Sequence, residues 1–411
     1  MKRLFCVVLA LMLAGCTPAA LEHSSSVTEP TPDSAASNTV CVETALTPAG
    51  STNSMGYFSF YYNPVNQAVG TQLARWDFGD MTMHIACSAP GCNHIGETCE
   101  GRIGGNAFLV LEDAVYTLEN GPDGETYTLC CRQADGTHPQ TVGTGGQWIF
   151  IGADEEFLYG FCNDAFGRVS RTDGTEVFLA HGAQADFCDF GRVLGVWNNR
   201  FVAVNWDPAQ TQPVRICLLG KDGSVTQTAQ VDADRFSSRN CVLIADQVIY
   251  FDLLTGDVMA VNVDSGETQT VTGALRSCTA LGEEHSFRLQ AVNGRPIVWD
   301  RDIVDGYLME RVFLVNEEGT ATELTQRQEW RDYDPALADT YYVYYAPSKE
   351  PAPVQMVAQW KDKLVIKRAL QFYTYERDGA PALGSKDVYA LMNAEDYLAG
   401  KETYQEFTIS Q

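Results

Sequence analysis

Positive charge is scarce in this chain: 28 Lys and Arg stand against 53 Asp and Glu in 411 residues, a formal net charge of -25. Nucleic acids and anionic headgroups are bound through basic patches that release counterions, so a surface this acidic excludes DNA or RNA as a partner. Long amphipathic helical stretches are nearly absent as well, and short alternating runs bounded by turns take their place, which is an all-β reading. The patterns Gly-x-Ser-x-Gly, His-Glu-x-x-His, Walker and Gly-x-Gly-x-x-Gly are all missing, so no local catalytic signature emerges. What is present, 45% hydrophobic and 20% charged residues, is ordinary for a folded domain of this length.

The N-terminus carries a different message. Lys2 and Arg3 precede an apolar run, Leu4 to Leu13, that is too short to span a bilayer as a permanent helix. It ends in Leu13-Ala14-Gly15-Cys16, which resembles the bacterial lipobox. The resemblance implies that residues 1–15 are a cleaved lipoprotein signal peptide and that Cys16 receives a diacylglyceryl group on its thiol. Two or three acyl chains exceed the threshold for stable anchoring, so the expected location is the extracytoplasmic face of the cell membrane. Residues 16–54, rich in Ser, Thr, Ala and Pro, read as a flexible tether with an average reach of roughly 35 Å. The folded domain is expected over 55–411.

Thirteen cysteines suggest an oxidising compartment, but Cys6 leaves with the leader and Cys16 carries lipid. The remaining number is odd, so at least one thiol is unpaired or otherwise engaged. Cys217 and Cys241 sit in apolar strand-like runs and read as reduced core residues. Cys130 and Cys131 are neighbours on an expected strand, so they point to opposite faces and do not bridge each other.

From Tyr57-Phe58-Ser59-Phe60-Tyr61-Tyr62 onward one unit recurs: a strand, a turn with glycine, a second strand. The turns are Phe78-Gly79-Asp80, Asp135-Gly136-Thr137, Asp173-Gly174-Thr175, Asp222-Gly223-Ser224, Ser265-Gly266-Glu267 and Glu318-Gly319-Thr320. A seventh hairpin is expected around Asp387 to Leu391, with its turn near Ala399-Gly400. Most intervals, roughly forty to fifty-odd residues, match one four-stranded blade of a β-propeller. Over residues 55–411 the chain resembles the β-propeller lipoproteins of Gram-positive anaerobes and, more distantly, TolB-type propellers. Seven blades are expected, with six or eight, or two packed β-sandwiches, as alternatives. The Gly-His partner of a WD repeat is missing beside Trp76-Asp77, Trp206-Asp207 and Trp299-Asp300.

One local cluster can carry chemistry. Cys87, Cys92, His94 and Cys99 fall within a single loop turned by Pro90-Gly91, and three thiolates with an imidazole form a tetrahedral zinc set. Segments of the form Cys-x-x-Pro-x-Cys-x-His recur in the lipoproteins the chain resembles. The alternative is a disulfide, Cys87 to Cys92 or Cys92 to Cys99, holding the loop. His84 is a replacement candidate for His94. The loop is expected to join the last strand of the first blade to the inner strand of the second, Ala107 to Leu111, on the face that usually carries ligands in propellers.

Two weaker features complete the reading. Asp300 to Gly306 echoes a calcium loop, but Arg311 stands where an EF-hand has its glutamate, so an exposed acidic turn is the expectation. The segment from Trp330 through Tyr341-Tyr342-Val343-Tyr344-Tyr345 to Pro353 lengthens the last interval, and its tyrosines read as a buried strand face. The function expected is a lipid-anchored binding or scaffolding module for a protein, peptide or glycan. The alternative is a propeller hydrolase or lyase acting on an extracellular polymer, with acids brought together from distant blades.

Overall fold

The structure, a computed structural model, describes residues 44–62, 71–96, 98–105, 107–121, 126–163, 165–180, 191–205, 212–236, 240–276, 286–338, 348, 350–377 and 379–409. The leader, Cys16, most of the tether, Trp206-Asp207 and the run Tyr341 to Tyr345 lie outside the described residues.

The chain from Thr44 onward is nearly all β and forms a seven-bladed propeller. Blades 2 to 6 each have four antiparallel strands, a to d, counted outward from the central channel. Blade 2 is Ala107–Val110, Ala114–Asn120, Tyr127–Gln133 and Gln140–Gly145; blade 3 is Trp148–Ala153, Phe157–Cys162, Ala165–Ser170 and Glu176–Ala180. Blade 4 is Gly191–Trp197, Arg200–Asn205, Val214–Leu219 and Val225–Val231; blade 5 is Cys241–Ile244, Gln247–Phe251, Val258–Asn262 and Thr268–Thr272. Blade 6 is Ser286–Val292, Arg295–Val304, Tyr307–Val315 and Ala321–Glu323; blade 7 is Gln355–Trp360, Lys363–Arg377, Ala380–Asn393 and Tyr404–Glu406. Glu329–Arg331 adds a parallel strand to blade 7.

The middle strands explain why the sequence reads as short apolar runs. In Arg200–Asn205, Phe201 and Ala203 face blade 3 while Val202 and Val204 face blade 5, so both sides of the strand are buried. Each of the Phe and Val side chains contributes about 1.5–3 kcal/mol on leaving water. The same arrangement repeats around the ring. Seven apolar cores lie between consecutive blades, and one of them joins Trp76, Met81 and Met83 of blade 1 to Ala358, Val365 and Phe407 at the end of the chain. Cys217 and Cys241 are buried in two of these cores, as expected.

All six glycine turns anticipated from the sequence fall between strands c and d. Gly136 has φ 82, a conformation that costs a residue with a Cβ, and the turn it makes tucks under Phe58 of blade 1. In blade 1 the positive φ falls on Met81, not on Gly79. In blade 7 a one-turn helix, α1 (Ala394–Leu398), stands between strands c and d and is capped by the Asn393 side chain before the chain turns at Gly400. No helix among the described residues is long and apolar enough to cross a membrane.

Blade 1 departs from this plan. Its strands Gly56–Tyr62, Thr71–Asp77 and Thr82–Ile85 correspond to b, c and d, since the glycine turn lies between the last two. In place of strand a it has only Ser51 and Thr52, which pair with Phe58 and Tyr57. The ring closes through the last strand: Tyr404–Glu406 pairs with strand c of blade 7, and Thr408–Ile409 continues alongside Thr82 and Met83 of blade 1.

Residues 44–54, assigned to the tether from composition, belong to the folded unit. They form a strap over the end of the propeller that carries the a–b and c–d turns. Thr44 O accepts from Lys221 of blade 4, Leu46 N–H donates to Asn199 Oδ1, and Thr47–Pro48 pairs with the channel edge of blade 3. Gly50 bridges to Val110 of blade 2, and Thr52 Oγ1 reaches Gln359 O of blade 7. Asn53 is fully buried and its amide donates to Leu111 O at 3.1 Å and Ala134 O at 2.8 Å. The partners of this strap in blades 2, 3, 4 and 7 are distant in sequence, so no local periodicity announces it.

Candidate functional site: a thiol and imidazole cluster in the blade 1–blade 2 seam

The cysteine loop leaves and re-enters strand d of blade 1 at one residue. Ala86 N–H donates to Leu73 O at 2.9 Å, and Leu73 N–H donates to Gly101 O at 2.8 Å. Arg102 then pairs with Gln72 and the chain proceeds to strand a of blade 2, as expected. The two limbs are therefore side by side, and Cys87 and Cys99 stand at the neck. Cys92 and His94 fold back over it, with His94 at φ 58 and Gly91 at φ 72 turning the tip.

The four side chains named from the sequence do converge. Their ligand atoms all lie within 4.8 Å of one another, and Cys99 Sγ is 3.6 Å from His94 Nδ1. A zinc tetrahedron with Zn–S of about 2.3 Å and Zn–N of about 2.0 Å has edges of roughly 3.5 to 3.8 Å, so a small contraction brings this set onto an ion. Each thiol also accepts an N–H from the residue two positions on: Cys87 from Ala89, Cys92 from His94 at 3.4 Å, and Cys99 from Gly101. Such bonds stabilise sulfur as thiolate, the form that ligates. All eight cysteines among the described residues are free thiols.

The electrostatics separate the thiols. Burial works to raise Cys87, but the N–H groups of Ala89 and Glu100 and the neighbouring thiols outweigh it and hold this thiol below its ordinary value. Cys99 is the buried member, and burial pushes it up to about 11, aided by the charge of Cys87 and opposed by Gly101 N–H. The cluster is thus arranged so that the Cys87 thiolate forms readily, and a cation between the sulfurs removes the conflict that raises Cys99.

Residues that spacing could not reveal complete the surroundings. Gln72 Nε2 donates to His94 O at 2.7 Å and approaches Cys99 Sγ at 3.8 Å. Buried Arg132 of blade 2 donates to Glu100 O at 2.7 Å. Glu100 Oε2 accepts from Ser88 N–H and Ser88 Oγ, bonds that hold its carboxyl below the usual range, and Ser88 Oγ lies 3.1 Å from His138 Nδ1. Here the serine stands between acid and imidazole, so the trio lacks the acid-imidazole-hydroxyl order of a nucleophilic triad. His84 does not join the four ligands; its Nε2 is 2.7 Å from Asp80 Oδ2. A cavity of about 220 Å³ lies between His84, Arg75, Cys87 and His94 on one side and Asp135 and Thr137 of blade 2 on the other.

The surroundings of the loop fix how far it lies from the channel. Its partners belong to strands c and d of blade 1 and to the c and d region of blade 2, so the cluster lies in the outer part of the seam and not over the channel mouth. The reason is the early return to strand d, which keeps the excursion at the blade's outer edge.

The other sequence candidates fare differently. Asp300 to Val304 is strand, Asp305-Gly306 is its two-residue turn, and Asp300 Oδ2 pairs with Arg311 Nη2 at 2.5 Å, so no calcium loop forms. A channel pocket of about 540 Å³ between blades 3 and 4 was not anticipated. Ile149, Phe150, Ile151, Phe161, Val193 and Leu194 line it, with Gln147, Asn163 and Arg192 as polar groups and Pro48 and Ala49 of the strap beside them. Its walls come from two blades and the strap, which no single stretch of sequence displays.

No family model matches this chain, and no curated protein matches it. Among solved structures it is similar to a streptogramin B lyase, at 11% identity over 75% of this chain and 84% of that one, with a TM-score of 0.38. It is similar to a puromycin hydrolase at 12% identity over 88% of this chain and 53% of that one, TM-score 0.44. An oligogalacturonate lyase in complex with manganese matches at 12% identity over 86% of this chain and 99% of that one, TM-score 0.39.

Proposed function

We propose that this protein is a lipid-anchored, extracytoplasmic β-propeller that acts as a binding or scaffolding module for a protein, peptide or glycan, with the Cys87–Cys99 loop held by a structural zinc ion. Lipid on Cys16 supplies the membrane contact. The observation that carries the binding reading is the channel pocket: a chamber of ligand size whose described lining is aliphatic and aromatic, with two amides and one guanidinium and no carboxylate, imidazole or thiol. Such a lining offers contact area and hydrogen bonds but no proton-transfer group.

The alternative, a hydrolase or lyase acting on an extracellular polymer, needs a general acid whose carboxyl is raised toward neutrality. Of the acids lining a cavity of about 860 Å³ between blades 7 and 1, Asp387 pairs with Lys367 at 2.7 Å, Glu406 pairs with Arg331, which holds it low, and Asp332 accepts from the Gln371 amide. Incubating the purified protein with defined glycans and peptides separates the readings. Saturable binding without products supports the module; turnover abolished by one carboxylate substitution supports the enzyme. For the anchor, Cys16→Ala should release the protein from membranes, and a variant that stays fully membrane-bound refutes lipidation.

For the loop, zinc is favoured over a disulfide because all four donors converge and all three sulfurs accept backbone N–H groups. A Cys87–Cys92 or Cys92–Cys99 bridge uses two of them and leaves the imidazole and third thiol without a role.

A further inference from the structure

Resting on the zinc reading above, we propose that the centre exchanges its metal, with the cavity beside it as the port and His84 as the transient ligand of the ion that enters or leaves. Four protein donors complete a tetrahedral set, yet the set is reachable from one side: Cys99 is buried, but Cys87, Cys92 and His94 are only half-buried, and two of these, Cys87 and His94, form a wall of the 220 Å³ cavity.

His84 lines the same cavity and is equipped as a ligand. Asp80 Oδ2, 2.7 Å from its Nε2, fixes the proton on that nitrogen and leaves the lone pair of Nδ1 for a cation, the carboxylate–imidazole pairing that orients metal-binding histidines. Its side chain is 37% exposed, so an ion reaches it from solvent. All three histidines among the described residues, His84, His94 and His138, gather around this loop. The strongly acidic surface raises the local concentration of cations at the port.

The sequence of events is ligand substitution. An incoming ion gives up water for His84 Nδ1, passes to the thiolate of Cys87, and then gains Cys92, His94 and Cys99 while each remaining thiol releases its proton to solvent. Three sulfurs and one imidazole select borderline and soft ions, Zn²⁺, Cd²⁺ and Cu⁺, over Ca²⁺ and Mg²⁺. Release runs the same steps backward, so His84 accelerates both directions and leaves the affinity unchanged.

The test uses the full chain loaded with zinc. Metal content is measured first, then release to the chromogenic chelator 4-(2-pyridylazo)resorcinol is followed in stopped flow for the wild type, His84→Ala and Asp80→Asn. Both substitutions are at partly exposed positions outside the ligand set, and thermal unfolding checks that each variant folds. The expected result is one zinc per chain in all three, with release and uptake several-fold slower in His84→Ala and an intermediate rate in Asp80→Asn. Bound zinc with indifferent rates overturns the exchange proposal alone and leaves the staple standing. A wild type without zinc overturns both.

Discussion

Ala86 and Gly101 are held by the same residue: Leu73 takes the N–H of the first and gives its own N–H to the carbonyl of the second. The loop between them is therefore closed at its base by β-pairing, and the thiols at Cys87 and Cys99 are brought together before any metal or disulfide acts. What a zinc ion adds is order in the loop above the neck, where Cys92 and His94 must be held over it.

Loss of one ligand should accordingly loosen the loop and spare the ring. Cys92→Ser is expected to lose zinc and to speed amide exchange across residues 88–99, while exchange in strand Tyr127–Gln133 of blade 2 stays as it was. Hydrogen exchange with and without chelator checks this; global loss of protection contradicts it.

The strap makes a sharper demand on stability. Asn53 donates twice and its Oδ1 accepts from Met55 and Gly56 N–H, all in a buried setting. Asn53→Ala leaves Leu111 O and Ala134 O without these partners, at a cost of about 1–3 kcal/mol for each stranded group. Urea unfolding should show a lower midpoint, with an unchanged slope if the strap melts with the ring.

Acid should attack the same strap through Asp154. Burial alone raises this carboxyl, but Lys221, the N–H groups of Phe157 and Glu156 and the Tyr159 hydroxyl hold it below the ordinary range. A folded value below the unfolded one, about 3.9, stabilises above that pH, and the stabilisation fades as pH falls through the folded value. Urea midpoints measured from pH 7 to pH 2 should therefore fall less steeply below about pH 4 in Asp154→Asn than in wild type. The variant should be the less stable of the two at neutral pH.

Ring closure depends on Phe407, which is buried beside Trp76 at 5.7 Å between the last blade and the first. Phe407→Ala is expected to cost about 3–5 kcal/mol. Because it opens the seam between chain ends, limited proteolysis should first cut near Thr408 or near the strap; cleavage first in blades 3 to 5 argues against closure at this seam.

The fold was legible because the c–d turn repeats. Six glycines and, in blade 7, the turn at Gly400 mark it in sequence, and each sits between strands c and d in space, so the blade count follows from local chemistry. The four ligands were legible for the same reason, since all lie in one loop. The strap, the missing strand a of blade 1 and the Gln72, Arg132 and Glu100 supports were not, because each depends on contacts that no local sequence pattern announces. The depth of the loop in the seam was hidden likewise: it shows only in the backbone pairing of Gly101, Arg102 and Ile103 with Leu73, Gln72 and Thr71, by which the chain rejoins strand d.

The central chemical claim, that the convergent thiols and imidazole hold a metal, is tested most directly by mass spectrometry of the purified protein under native and then denaturing conditions. The account predicts a native mass carrying one zinc ion per chain and a denatured chain with Cys87, Cys92 and Cys99 as free thiols. A zinc-free native mass, with the peptide spanning Cys87 to Cys99 lighter by two hydrogens, contradicts it and establishes the disulfide in its place.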